Sequence, residues 1–572
     1  MEKYRTRWTI THPHTPGSIP ELIEILLANR GLEALGLEAR LEELESDAQQ
    51  IRNLESAAQL VAQHVDRGSK IVLAGDYDCD GLTSIAQLAL FLRRLGHREI
   101  VAATPANRSQ GYGMPLEAVR ANQDAGLFLA LDCGTFDEVP VAAAREAGAD
   151  VVVIDHHAID AASRVAPATF LVNPHHPDCP STFKAFATAG LVLLFLSRLR
   201  QALAAGREPI AINGDYLALA AVGTVADMMP LRKGNRAIVR HGLDHLTRGC
   251  FAPLQQLRAV AGLAGRPLNT GHIGFQIAPR LNAAARVGDA RTALDLLLAE
   301  DPARIEALAL QLDELNRRRQ KQVESIGGAL LARVAAMPEA RTVVLADPGF
   351  PQGINGILAQ RIVREFGRPA IVMQVIAKEG VATGSGRSVP GFDLHQALSE
   401  SRDLLERWGG HAMAAGLSVR IEKLEAFRER FESITARLHP EPLVASEPVD
   451  MEIDPALATP ALIEALRGLE PYGVGNPSPR FAMRGEEIRT LRRFGRRGGG
   501  GPHLELSFAS GLSAVYWNGA QGFTGRIGER VDLVCSLNWN DYRGTLQAVV
   551  RDLGADLFAP VRAAAVTGEG CA

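Results

Sequence analysis

Ile71-Val-Leu-Ala-Gly-Asp-Tyr-Asp-Cys-Asp-Gly81 is the stretch that decides the fold. The apolar run Ile71 to Ala74 reads as a buried strand. It gives way at once to aspartates at 76, 78 and 80, and Gly81 then opens a helix. In an extended loop, alternate side chains share a face, so Asp76, Asp78 and Asp80 point one way. The pattern recurs downstream. Asp132 follows the apolar run 127–131, Asp155-His156-His157 follows 151–154, and Asp227 follows the apolar run from Leu217 to Val225. Helical stretches such as Val141 to Ala147 lie between the runs, and strands alternating with helices imply a parallel sheet covered on both faces. Residues just past the carboxyl ends of such strands converge on one edge, where ligands bind.

Carboxylates gathered without compensation repel and raise one another's pKa, and bound cations remove that penalty. Oxygen ligands with one or two imidazoles suit Mn²⁺ or Mg²⁺ better than structural zinc, which favours cysteine. Two such ions, about 3.5–4 Å apart, would activate water and clamp a phosphodiester. Blander readings are weaker as joint explanations. Asp76-x-Asp78-x-Asp80-Gly81 matches half of a calcium-binding EF-hand loop, but the twelfth position is Gln87 and the loop follows a strand. Any single loop acid can be only a helix N-cap; four sites arriving together are not explained that way. His175, His176 and Cys179 lack the second half of a zinc site and read as loop residues.

At 572 residues the chain needs several cores. Residues 1–60 read as a helical extension and 61–298 as the catalytic α/β domain. Asp301-Pro302 caps a helix over 300–336 whose apolar spacing suits a connector. A smaller α/β domain follows over 340–440, then a proline-spaced linker. Residues 446–556 carry β-type runs that suit a small barrel, and 557–572 form a tail. Lys+Arg 61 against Asp+Glu 65 gives a formal charge of -4, so nucleic-acid contacts must come from local patches rather than a global basic field. The six cysteines form no C-x-x-C pair, which fits a reducing cytoplasmic compartment. Leu191 to Leu196 is too short to span a bilayer, and no signal-peptide pattern follows Met1.

Gly75-Asp-Tyr-Asp-Cys-Asp-Gly81, Asp132, Asp155-His-His157 and Gly223-Thr-Val-Ala-Asp227 resemble, in order, the motifs of the DHH phosphoesterase superfamily. The likeness continues through Ala278-Pro-Arg-Leu-Asn282, Gly384-Ser-Gly-Arg387, Gly409-Gly-His411 and Leu469-Glu-Pro-Tyr-Gly-Val-Gly-Asn476. It covers roughly residues 50 to 555 and is most similar to the bacterial branch of 5′→3′ single-strand-specific DNA exonucleases. The resemblance implies a DHH domain, a DHHA1 domain and a C-terminal OB-fold barrel. It implies one metal held by Asp78 and Asp132 with Asp76 nearby, and a second held by Asp80, Asp132, His156 and Asp227. Asp132 would bridge the two, His157 would face the scissile phosphate, and Asp155 would orient the loop or a histidine from outside the ligand set. Arg108, Arg280 and Asn282 match phosphate-side positions. Ser385, Arg387, Gly409, Gly410 and His411 match positions that approach the nucleic-acid backbone.

In the barrel, Tyr516, Trp517, Trp539 and Tyr542 are candidates for base stacking, and Arg492, Arg493, Arg496 and Arg497 make a basic stretch. Alternation places half of those aromatics in the core. Departures from the family pattern are Ala74 where a metal-binding histidine is common, Cys133 for asparagine, Ala285 for glycine and Pro351 for histidine. The expected activity is 5′→3′ hydrolysis of single-stranded DNA to mononucleotides in recombination and repair. The expected partners are a helicase and a single-strand-binding protein, and the expected state is a monomer. Two rivals share the motifs: a phosphodiesterase of oligoribonucleotides or cyclic dinucleotides, and an inactive replication scaffold. The barrel argues for a polymeric substrate, and the full set of acidic ligands argues against a scaffold.

Overall fold

The computed structural model describes residues 7–32, 40–107, 111–160, 163–204, 211–439, 446–495, 501–520, 522–540, 543–555 and 557–558. The first domain is built on five parallel strands: Ile71–Gly75, Ile100–Ala103, Leu127–Leu131, Asp150–Ile154 and Phe170–Val172. In space, Ile100–Ala103 lies at one edge, followed by Ile71–Gly75, Leu127–Leu131, Asp150–Ile154 and Phe170–Val172. The chain therefore reverses its direction of progress between Ile71–Gly75 and Leu127–Leu131. At such a switch point the connections leave in opposite directions and open a crevice outside the carboxyl ends. Both central strands are wholly buried, as their unbroken apolar runs require.

Helix Pro302–Ala335 has 34 residues, so at 1.5 Å per residue it is about 51 Å long. Asp301 caps it by accepting from the Arg304 amide at 2.8 Å. Its two ends belong to different cores. Ile305, Leu308 and Leu312 pack into the first domain, whereas Leu330 and Val334 pack into the second. That second domain is a five-stranded sheet with strand order 405–411, 414–420, 381–387, 370–376, 343–347, antiparallel except for the last pair.

The barrel closes through strands Phe481–Phe494, His503–Phe508, Ser513–Tyr516, Thr545–Gly554 and Arg530–Asn540, the first pairing again with the last. The N-terminal stretch carries the helices Ile19–Asn29 and Glu42–Gln50 and the start of Leu54–Asp66, but it opens on a strand that the helical expectation did not include. Arg7–His12 is a strand paired in parallel with Ser446–Glu452, which in turn adjoins the barrel's first strand. Helix Ile19–Asn29 buries Leu22, Ile25 and Leu26 in the barrel core. Trp8 and Ile10 recur with period 2 on one face, and Trp8 Nε1 donates to Asp552 at 2.8 Å. Arg30 closes the junction. Its side chain is 2% exposed and pairs with Asp450 at 2.6 Å while also donating to the Pro477 carbonyl.

Removing one partner of a buried pair leaves an uncompensated charge, so Arg30→Ala is expected to destabilise this unit by about 3–5 kcal/mol. Three of the four tryptophans, Trp8, Trp517 and Trp539, lie in it. Urea unfolding followed by tryptophan fluorescence reads the loss; a midpoint equal to wild type would show that the N-terminal segment does not support the barrel.

Candidate metal centre and its surroundings

Each acid of the crevice is placed by a different local device. Asp78 is the N-cap of helix Cys79–Arg94, its Oδ1 accepting from the amides of Asp80 at 2.9 Å and Gly81 at 3.3 Å. The capping reading of this loop acid thus holds, and it coexists with a place among the clustered carboxylates. Asp80, one turn in, is buried and meets the start of helix Thr188–Ala202, where the amides of Thr188 and Ala189 each donate to its carboxylate at 2.8 Å. First-turn amides without intrahelical partners favour an anion there. Gly223 lets helix Gly214–Ala226 come close, since a β-carbon at that position would lie 2.8 Å from Asp80 Oδ1. Asp227 caps the C-terminus of that helix and turns back into the crevice.

Asp132 adopts φ 60°, a left-handed conformation that is costly for a residue with a side chain. Three contacts hold it. Its amide donates to the Ile154 carbonyl at 3.0 Å, the Thr188 hydroxyl donates to its Oδ1 at 3.2 Å, and the Tyr112 hydroxyl donates to its carbonyl at 2.6 Å. Asp155 accepts on one oxygen from the amides of His156 and His157 and from Nδ1 of His157, at 2.7, 3.3 and 2.7 Å. This is the geometry of a residue that orients the His157 ring. Asn173 fixes the same loop by donating to the His157 carbonyl.

The result is a set of side chains that could hold ions. Nε2 of His156 lies 3.3 Å from Asp132, 3.4 Å from Asp227 and 3.8 Å from Asp80. Three groups have ligand atoms within 4.8 Å of one another: Asp76, Asp78 and Asp132; Asp80, His156 and Asp227; and Asp132, His156 and His157. Burial and then the neighbouring carboxylates push Asp80 up to about 7 and Asp227 up to about 9, and raise Asp132 well above the usual range. Burial pulls His156 down to about 4, leaving its nitrogen available as a ligand. His157 goes the other way, to about 9, because its hydrogen bond and charge contact with Asp155 outweigh burial. Asp227 Oδ2 is buried and accepts no hydrogen bond. Buried carboxylates driven toward neutrality around an imidazole kept unprotonated are the donor set that a hard divalent cation relieves, so the residues fit Mn²⁺ or Mg²⁺. Ala74, the departure most adverse to metal binding, is fully buried at the end of its strand and leaves the three groups intact.

The other expected contacts are placed less uniformly. Arg280 is engaged: Nε and Nη2 both reach Asp313 on the connector, and Nη1 donates to the Gln276 carbonyl. Asn282 Oδ1 is buried without a hydrogen bond. His411 ends an exposed strand, Leu405–His411, that also carries Gly409 and Gly410. Burial, then the positive fields of His157 and His395, lower its pKa, which brings this strand to the acidic edge. Ser385 and Arg387 are half-buried on strand Val381–Arg387. Arg108, Arg496, Arg497 and Tyr542 lie outside the described residues. In the barrel, Trp539 is half-buried against the core, and Trp517 is the more exposed aromatic, 54% accessible and edge-on to Phe494 and His503. Arg492 is paired with Glu505 and lies over the Phe494 ring, while Arg493 is exposed. Sequence reading missed Thr188, Ala189, Tyr112 and Asn173, none of which bears a metal-ligand side chain.

Comparison with known proteins agrees with this arrangement. The profile of the DHH family, N-terminal domain, matches residues 70–224, the DHHA1 domain matches 339–437, and the RecJ OB domain matches 449–552. The single-stranded-DNA-specific exonuclease RecJ of Bacillus subtilis (strain 168) is 31% identical over 571 residues, covering 96% of this chain and 71% of that protein. RecJ of Escherichia coli (strain K12) is likewise 31% identical, over 94% of this chain and 96% of that one. The crystal structure of RecJ from Thermus thermophilus in complex with Mn²⁺ superposes with a TM-score of 0.81 at 32% identity, covering 96% of this chain and 79% of that one. The chain belongs to the RecJ family of DHH phosphoesterases.

The raised carboxylates set a pH prediction. A group whose folded pKa exceeds its unfolded value stabilises the fold at low pH and loses that contribution as pH rises through the folded value. Metal-free protein should therefore lose melting temperature between about pH 5 and 9, the interval set by Asp80 and Asp227. Added Mn²⁺ should restore it, most strongly at the alkaline end. A flat metal-free profile across that interval would contradict the repulsion.

Proposed function

We propose that the chain is a metal-dependent exonuclease that hydrolyses single-stranded DNA from the 5′ end to mononucleotides, serving recombination and repair. The observation that carries the reading is the sharing of Asp132 between clustered carboxylates on one side and His156 on the other, at the switch-point crevice. One ion would be held by Asp78 and Asp132 with Asp76, and the other by Asp80, Asp132, His156 and Asp227. When bound, the ions supply the Lewis acidity that activates water and offsets the charge of the reacting phosphodiester.

The remaining work falls to the chain's own residues. Thr188 and Tyr112 hold Asp132 in its strained conformation, so the bridging carboxylate is fixed before substrate arrives. His157 carries a proton at neutral pH and is held by Asp155, so it presents a positive imidazole to the phosphate. Arg280, Asn282, Arg387 and the Gly409-Gly410-His411 strand would guide the backbone, with Arg108 at the substrate end. The barrel would add Trp517 as a stacking surface and Arg493 as a phosphate contact. Among the described residues no helix is long and apolar enough to cross a membrane. A helicase and a single-strand-binding protein would supply the strand, and a cytoplasmic monomer fits that role.

The test uses single strands labelled at either end, a blunt duplex, and Mn²⁺. Mononucleotides should appear first from the 5′ end and not from the duplex. Asp132→Ala should lower the rate by about 10³-fold or more, since several kcal/mol of charge stabilisation is lost. Asp155→Asn, which only loosens the orientation of His157, should cost about 10–100-fold. Release from the 3′ end, cleavage confined to dinucleotides, or equal effects of the two substitutions would sink this assignment.

A further inference from the structure

A cavity of about 520 Å³ lies between the connector helix and the second α/β domain, and none of the acidic-cluster residues lines it. Arg286 enters from helix Ala278–Val287, Arg319 and Glu324 from the connector, Arg361 and Arg364 from helix Gln352–Phe366, and Arg387 from the end of its strand. Five guanidiniums therefore face one carboxylate, a local charge of +4 in a chain whose formal charge is -4. Among the described residues, Arg361 and Arg364 make no hydrogen bond or ion pair. Arg319 Nε is buried without a hydrogen bond, and burial followed by the charge of Arg280 lowers the pKa of that side chain.

Space for the guanidiniums is built into the facing helices. A β-carbon at Gly327 would collide with Nη1 of Arg361, and one at Gly356 would lie 2.8 Å from Nη2 of Arg387. Arg286, Arg387 and Arg319 are held in part by the Gly353 and Gly386 carbonyls and the Asn316 side chain. Like charges drawn into one concavity repel, and Arg361 and Arg364, which have no such bond among the described residues, would disperse into solvent unless something in the concavity rewards their convergence. The planar guanidinium fork matches phosphate oxygens in pairs. A strand offers one charge per nucleotide, whereas +4 focused in this volume matches several charges carried by one small molecule. The walls come from both domains and from the helix between them.

We propose that this pocket binds a free polyphosphate anion, either pyrophosphate or the triphosphate of a nucleotide, which ties the second domain to the connector and so fixes the width of the interdomain cleft. Arg361, Arg364 and Arg319 provide the forks, and Arg286 provides the anchor on the catalytic side.

The experiment is calorimetric titration of the full chain with inorganic tripolyphosphate in EDTA. Without metal ions the acidic edge repels anions, so binding heat reports the basic pocket. One saturable site is expected, with sulfate at matched ionic strength giving none. The double variant R361E/R364E should weaken binding by about tenfold or more, because each substitution removes charge-assisted hydrogen bonds. Absence of saturable binding, equal binding of sulfate, or full affinity in R361E/R364E overturns the proposal. The strand is the competing source of phosphate. If Mn²⁺-dependent digestion of single strands by R361E/R364E falls more than about tenfold without polyphosphate present, the pocket belongs to the substrate and the proposal fails, while the exonuclease assignment stands.

Discussion

Repulsion among Asp80, Asp132 and Asp227 is the constraint around which the first domain is arranged. Three carboxylates at one buried edge cannot all ionise without compensation, and each is pushed upward by burial and by the others. Much of the surrounding architecture compensates for part of that cost. The start of helix Thr188–Ala202 turns two amides toward Asp80, the Thr188 hydroxyl donates to Asp132, and Gly223 lets a second helix close over the pair. What the protein does not supply is a positive partner for the whole set. His156 is held neutral in the middle, and His157, the charged member, is turned aside onto Asp155. The remaining deficit is what divalent cations fill.

The connector helix makes the second half of the molecule depend on the first. Its apolar residues divide between two cores, so neither domain can shift along it without exposing part of its own interior. Near its middle, Asp313 receives Arg280 from the catalytic side and Arg317 from its own next turn while remaining 4% exposed. Arg280 is thereby held at a fixed distance from the connector. One buried ion pair thus ties helix Ala278–Val287 of the first domain to the middle of the connector.

What could be read from the sequence follows from which forces are local. An apolar run ending in an aspartate announces both the strand and the edge its carboxylate faces, because side-chain direction and burial are fixed within a few residues. Asp76, Asp78, Asp80, Asp132 and Asp155 were legible in that way, as was the capped connector at Asp301-Pro302; the apolar run before Asp227 is instead a buried helix, Gly214–Ala226, whose C-terminus that aspartate caps. Thr188 and Ala189 were not, because they act through main-chain amides at a helix start, and any residue has an amide. Tyr112 serves a carbonyl twenty residues away, and nothing in its neighbourhood signals this. The strand Arg7–His12 shows period-2 alternation, but its partner lies more than 400 residues downstream, and pairing across that separation leaves no local trace. Which of Trp517 and Trp539 is the more exposed was not legible for a related reason. Trp517 lies beyond the end of strand Ser513–Tyr516, where alternation no longer says which way a ring turns, so its exposure depends on packing against Phe494 and His503.

A formal charge of -4 describes almost nothing about this surface. Acids are concentrated at the switch-point crevice, and arginines are concentrated where the connector meets the second domain, so the field differs in sign between the two places. A polyanionic strand approaching the acidic edge of metal-free protein meets carboxylates. Divalent cations at the acidic edge remove the repulsive wall, so ion occupancy must raise strand affinity. Linkage makes the relation reciprocal: whatever factor the ions contribute to strand binding, the strand returns to ion binding. An enzyme arranged in this way binds its metals most firmly when substrate is in the cleft, and Asp132, which belongs to two of the three groups able to hold an ion, is the carboxylate those groups share.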